Sequence, residues 1–342
     1  MSVISPALSV LDLSFVRSGR PPSEALHDTL ALARACDTLG FHRFWLAEHH
    51  SLPSVASPAP EIMIGQIAAA TRRMRVGSGG IMLPNHAPLM VAERFRMLEA
   101  LFPGRIDLGL GRAPGTDGVT AYALRRHQEQ PGGDDFLEKF QELLLWDSGA
   151  FPENHPFRRV AVMPSDVRLP PIWLLGSSGY SARLAAQVGL GFAFAHHFAQ
   201  HDVFDAMLAY RDTFKPSPTL AAPHAILAVS AVVAETTAEA ERLASSQDLS
   251  WLRRAHGEFG PLPTVAEAEA ETYGPAEREQ IRRNRARMFV GDAAAVRDRL
   301  AAFAAETGAA ELMITSAIHD QDARRHSYRL LADAFRLPAA LA

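Results

Sequence analysis

Cysteine is nearly absent. Cys36 stands alone in 342 residues, so no disulfide can form within the chain, which suits a reducing compartment. Cys36 sits in an apolar helical pattern and reads as a small buried hydrophobe rather than a nucleophile. Charge of one sign is also lacking: the formal net charge is -4, which gives no electrostatic case for nucleic acid or an anionic membrane. No uncharged apolar run approaches the roughly 18 residues of a membrane span. The first residues lack a basic stretch followed by an apolar core, so no signal peptide is expected and a cytoplasmic location is. No G-x-G-x-x-G turn follows the first strand, as a Rossmann dinucleotide site would require. The adjacent pair His49-His50 lacks metal-ligand spacing too: it is neither H-x-H nor the i, i+4 pair of a helical site. Internal repeats and low-complexity runs are absent.

What is present is an alternation of short apolar runs and amphipathic segments. Strands are expected over 8–15, around Phe44–Leu46, and over 74–83, 105–111, 172–175, 190–195, 225–233 and 311–315. Helices are expected over 24–39, with Ser23 as a plausible cap and Gly40 ending it in a left-handed conformation, and over 61–71 and 89–101. Further helices fall at 134–146 (capped by Asp134), 180–188, 201–214, 238–254 and 292–306, with one more at the C-terminus. A polar Pro/Gly/Glu-rich insertion occupies 257–287. Strands alternating with helices imply a parallel sheet. Eight such units in one chain of this length close most simply into a single (β/α)8 TIM barrel spanning 1–342, the alternative being a doubly wound open sheet.

Barrel enzymes place their chemistry at the C-terminal ends of strands. Arg43-Phe-Trp-Leu-Ala-Glu-His-His50 is the stretch that most looks like such an end, with a buried strand breaking into Glu48, His49 and His50. Adjacent residues on extended backbone point to opposite faces, so the two imidazoles are not expected to share a metal. His49 is the candidate general base or hydrogen-bond donor, and His50 the structural partner. Gly79 and Gly80 interrupt a strand, as a bulge or as a backbone platform under a flat ligand. Arg112, just past the 105–111 strand, is placed to bind phosphate or carboxylate. Gly176-Ser177-Ser178-Gly179-Tyr180-Ser181 opens a helix and reads either as an anion site or as simple N-capping by Ser177 or Ser178. His196, His197 and His319 are expected on the same rim, and Arg125-Arg126-His127 on the solvated face of a lid helix.

Taken in order, these motifs resemble the bacterial luciferase-like flavin monooxygenases. Trp45-Leu-Ala-Glu-His-His50 resembles the family's E-H-H segment, and Val76-Gly-Ser-Gly-Gly-Ile-Met-Leu-Pro84 its third strand. Pro103 to Arg112 resembles its fourth strand, and Leu175-Gly-Ser-Ser178 through Gly189-Leu190 its flavin-phosphate segment. The shorter members with L-G-S-S-x-Y-S-A and G-R-A-P-G are the most similar. The resemblance implies a (β/α)8 barrel, commonly a homodimer, that uses reduced FMN and molecular oxygen to oxidise a small organic substrate. It implies that Arg112 and the helix start at Ser178 and Ser181 hold the flavin phosphate. A cis Gly79–Gly80 peptide would support the isoalloxazine ring, and His49 matches the catalytic histidine. The missing Rossmann turn then means that a separate reductase supplies the reduced flavin. The loop after the fourth strand and the 257–287 insertion would keep water from the barrel mouth. A deazaflavin-dependent oxidoreductase and a flavin-binding protein without turnover are the other readings.

Overall fold

The computed structural model describes residues 6–113, 115–125 and 135–339. Pro114 of the G-R-A-P-G run, Arg126 and His127 of the charged run, and the expected cap Asp134 lie outside the described residues. Ten parallel strands form one sheet: β1 (Ala7–Asp12), β2 (Arg43–Leu46), β3 (Arg75–Ser78), β4 (Ile81–Met82), β5 (Ile106–Gly111), β6 (Ile172–Gly176), β7 (Gly191–Ala195), β8 (Ala225–Ala234), β9 (Met288–Asp292) and β10 (Glu311–Thr315). Pairing of β10 with both β8 and β1 closes the sheet into a barrel. It has eight staves, because β4 continues the stave that β3 begins. β9 lies off the ring and pairs with the outer half of β8, from Ser230 to Ala234. The eight expected strands are the eight staves, and β9 is the one that the sequence pattern conceals.

The strands are short apolar runs, nearly all buried on both faces, as a parallel sheet wrapped in helices requires. Helices begin where proline occupies the first turn and its missing N–H costs nothing, at Pro22–Leu39, Pro60–Ala70 and Pro88–Leu101. That shifts the first helix from the expected start. Its N-cap is Pro21 rather than Ser23, and Glu24 instead pairs with Arg17 at 2.8 Å. Gly40 ends it with φ 89°. Cys36 is buried, and burial pushes its thiol pKa well up, so it is inert packing. The 257–287 segment carries two helices, Val265–Ala270 and Pro275–Arg285.

Inside the ring, Leu11, Trp45, Trp173, Ile226 and Met313 fill the barrel, with the two indoles edge to face at 5.6 Å. Charge closes the floor at the strand starts. Arg43 reaches Asp107 at 2.8 Å and Glu311 at 2.9 Å, and Arg75 meets Asp107 at 2.7 Å. Burial opposes ionisation of Glu311, but His224, Arg43 and Ser9 hold its carboxyl down at about 2. With the floor sealed, the space that remains is at the C-terminal mouth.

Candidate active site

That space is a cavity of about 520 Å³, within the range of roughly 300–1,000 Å³ usual for small-molecule sites. His49, Gly79, Arg112, Gly176, Ser177, Ser178 and Ser181 all line it, though they come from four different staves. Gly80, Gly179 and Tyr180 do not line it. Gly80 faces the barrel wall, where an added Cβ would lie 2.8 Å from the Gly109 carbonyl oxygen. A Cβ at Gly179 would meet the Arg183 guanidinium. The Tyr180 ring lies under the Arg112 guanidinium at 4.5 Å, so it orients that cation from outside the cavity. The Gly79–Gly80 peptide is cis.

The E-H-H segment sorts its three side chains by direction. Glu48 is fully buried and gathers donors: His50 Nε2 at 2.8 Å, the Met82 amide at 2.8 Å, Asn85 Nδ2 at 3.2 Å and His86 Nε2 at 3.0 Å. Burial alone would raise its pKa, but the bonds from His86, Met82 and His50 outweigh that and keep the carboxylate ionised. His50 therefore serves Glu48 and not the cavity. His49 turns the other way. Its Nδ1 lies 3.2 Å from the Gly115 carbonyl oxygen, which can only accept, so Nδ1 carries the hydrogen and Nε2 keeps the lone pair. Burial lowers its pKa, the Gly115 bond raises it, and the Arg254 charge lowers it again; the net shift is downward. The loop that carries Gly115 is tied to the same segment by Thr116, whose hydroxyl donates to the His50 carbonyl at 2.8 Å.

A second centre forms where β5 and β6 end. Arg112 follows β5, and the Gly179–Val188 helix follows β6 with Ser178 as its N-cap residue. The Ser178 side chain makes no capping bond, which removes the plain capping reading for that residue and leaves the first N–H groups of the helix without a side-chain partner. A Cβ at Gly176 would fall 2.7 Å from Ser181 Oγ, so the turn can pack only with glycine there. Serine hydroxyls, a helix start and a guanidinium thus share one end of the cavity, an arrangement for a phosphate-sized anion.

Of the other rim histidines, only His197 lines the cavity, and burial drives its pKa down to about 4. His196 packs on Phe303 with centroids 4.9 Å apart, and His319 bonds the Ser18 carbonyl at 3.1 Å. Sequence reasoning misses the far wall. Gln247, Ser250, Trp251 and Arg254 reach the cavity from the Thr237–Ala255 helix, and Ser230 and Thr315 from β8 and β10. The helical spacing of the first four is visible in the sequence, but only docking of that helix over the mouth gives it meaning. Ser230 Oγ, Thr315 Oγ1 and Gln247 Oε1 are buried without a partner. Among the described residues no carboxylate side chain lines the cavity, and no three His, Cys, Asp or Glu side chains group as a metal site.

A family model described as luciferase-like monooxygenase matches residues 7–311. A protein of Escherichia coli (strain K12) named luciferase-like monooxygenase is 43% identical over 327 residues, covering 96% of each chain. The crystal structure of apo-MsnO8 superposes with a TM-score of 0.90 at 40% identity, covering 98% of this chain and 99% of that one. The FMN complex of the oxygenating constituent of 3,6-diketocamphane monooxygenase from Pseudomonas putida shares the fold, with a TM-score of 0.70 at 18% identity over 99% of this chain and 100% of that one.

Proposed function

The chain belongs to the luciferase-like monooxygenase family, and on that premise we propose that it uses reduced FMN and molecular oxygen to oxygenate a small organic substrate. One observation carries the cofactor reading. Ser178 caps its helix without using its hydroxyl and stands with Ser177, Ser181 and Arg112 at one end of a cavity that, among the described residues, no carboxylate lines. Those groups suit the FMN phosphate, and Tyr180 keeps Arg112 in place. Gly79 offers bare backbone to the flat ring, and Ser230, Thr315 and Gln247 add unpartnered polar atoms to the same cavity. Reduced FMN, when bound, supplies the electrons that activate oxygen. His49 Nε2 holds or moves a proton beside the ring, and the apolar lining excludes water. Glu48 and His50 keep the backbone on either side of His49 in place.

The same proposal covers the assembly. The chain acts as one barrel domain, in a reducing cytoplasm, with reduced flavin delivered by a separate reductase and a second copy bound through the exposed Met90, Met97 and Leu101 of the Pro88–Leu101 helix and the nearby Ile62. Anaerobic titration with reduced FMN followed by oxygen tests the chemistry. We expect tight binding, oxygen consumption, and no reduction of FMN by NADH or NADPH with this protein alone. Arg112→Ala should weaken FMN binding about tenfold to a hundredfold, as loss of a charge-assisted bond does. His49→Ala should bind FMN normally and lose oxygen chemistry. Failure to bind reduced FMN sinks the reading, and hydride transfer from a deazaflavin without oxygen uptake would replace it.

A further inference from the structure

Among the described residues two arginines line the cavity, and the proposed cofactor occupies only one. Arg112 leaves the end of β5 beside the β6 turn. Arg254 hangs instead from the last turn of the Thr237–Ala255 helix after β8, where Ser250 and Ser54 adjoin it; Ser54 lies in the loop after β2. No hydrogen bond, ion pair or ring contact engages the Arg254 guanidinium among the described residues. Its side chain is solvent-exposed at the rim, where desolvation still lowers its pKa; Glu258 adjoins it in the small pocket beside the mouth, but among the described residues no carboxylate lines the main cavity. An exposed guanidinium at the cavity rim that bonds no acid of its own chain is open to an incoming one. Its charge also reaches His49, so it stands on the side of the cavity where the proposed base works. The same cavity is lined by the apolar Leu13, Phe15, Leu52, Val55, Trp251 and Leu262.

We propose, resting on the FMN reading above, that the substrate is an organic carboxylic acid whose carboxylate sits on Arg254 with Ser250 and Ser54. Its apolar body lies against Leu13, Phe15 and Leu262, which brings the carbon chain toward His49 and the flavin ring. The planar fork of arginine fits a carboxylate bidentately, a match that lysine lacks. The phosphate of the cofactor and the carboxylate of the substrate thus bind at separate cations, and neither competes for the other's site.

Binding of 4-phenylbutanoate and decanoate, each beside its primary amide, tests this by calorimetry on the FMN-loaded protein. Each acid should bind at least about tenfold more tightly than its amide, the worth of one charge-assisted bond. Arg254→Gln should erase that difference, Arg254→Lys should retain part of it, and both should keep the FMN affinity and melting temperature of the parent. Equal binding of acid and amide to the parent protein overturns the proposal. So does an Arg254→Gln variant that loses FMN affinity as Arg112→Ala does, since Arg254 would then belong to the cofactor. If FMN fails to bind while the protein alone still prefers the acids and Arg254→Gln abolishes the preference, the cofactor reading falls and the carboxylate site stands.

Discussion

A single hydrogen bond decides what His49 can do. Because the Gly115 carbonyl takes the Nδ1 hydrogen, the neutral ring presents its lone pair at Nε2. Burial favours that neutral form. The sign follows directly: a histidine with a depressed folded pKa binds fewer protons folded than unfolded, so the functional neutral form persists below the ordinary value of about 6.5 and is lost only as pH falls further. The acid limb of the FMN-dependent rate should accordingly lie below about 6.5, and His49→Gln should remove it. A limb at or above that value would show that His49 is not the base. His197, held at about 4, titrates lower still. The two adjacent histidine pairs each split their side chains, the second of them in a turn where both are expected on the rim. His49 lines the cavity while His50 serves Glu48, and His197 lines it while His196 packs on Phe303. His319 lies past the last strand in a loop, and it bonds Ser18.

At the scale of elements, helix starts that look alike in sequence behave differently. Asp292 and Asp320 cap their helices, accepting from Ala295 at 3.0 Å and Ala323 at 2.7 Å. Ser178 occupies the same position and does not. Loss of a working cap costs about 1 kcal/mol. Asp320→Ala should therefore lower the urea-unfolding stability by about that amount and spare FMN affinity. Ser178→Ala should do the reverse, leaving FMN-free stability unchanged and weakening FMN binding several-fold. A Ser178→Ala loss of stability equal to that of Asp320→Ala would mean the hydroxyl caps after all. The hidden elements have a local cause as well. β9 directly follows the polar 257–287 segment and runs straight into the next helix, so no separate unit shows in the sequence, and it pairs with the outer half of β8, whose edge the ring leaves open. The stave expected over 74–83 divides at Gly79–Gly80 into β3 and β4, each pairing a different part of β5.

The whole molecule is a sealed cup. Arg43, Asp107 and Glu311 close its floor, with Arg43 and Glu311 lying 268 residues apart in sequence, and the mouth opens between helices. Part of its outside is apolar. Met97 and Leu101 are 56% and 66% exposed, and Ile62 on the Pro60–Ala70 helix is 66% exposed, far more than large apolar side chains usually are. If a second copy covers this face, changing both Met97 and Leu101 to Glu should halve the mass measured by light scattering while FMN affinity is kept. A monomeric parent, or a variant of unchanged mass, excludes pairing there. The sequence by itself determined the alternation of strands and helices, the eight staves, and the residues that could do chemistry at their ends. Those signals are periodicities and short motifs, which act over a few neighbouring residues. Only the tertiary structure decided which candidates share one cavity, that the Ser178 hydroxyl makes no capping bond, and that Arg254 reaches the mouth of the same cavity. Each of these depends on side chains brought together from distant parts of the chain, and no local pattern encodes that distance.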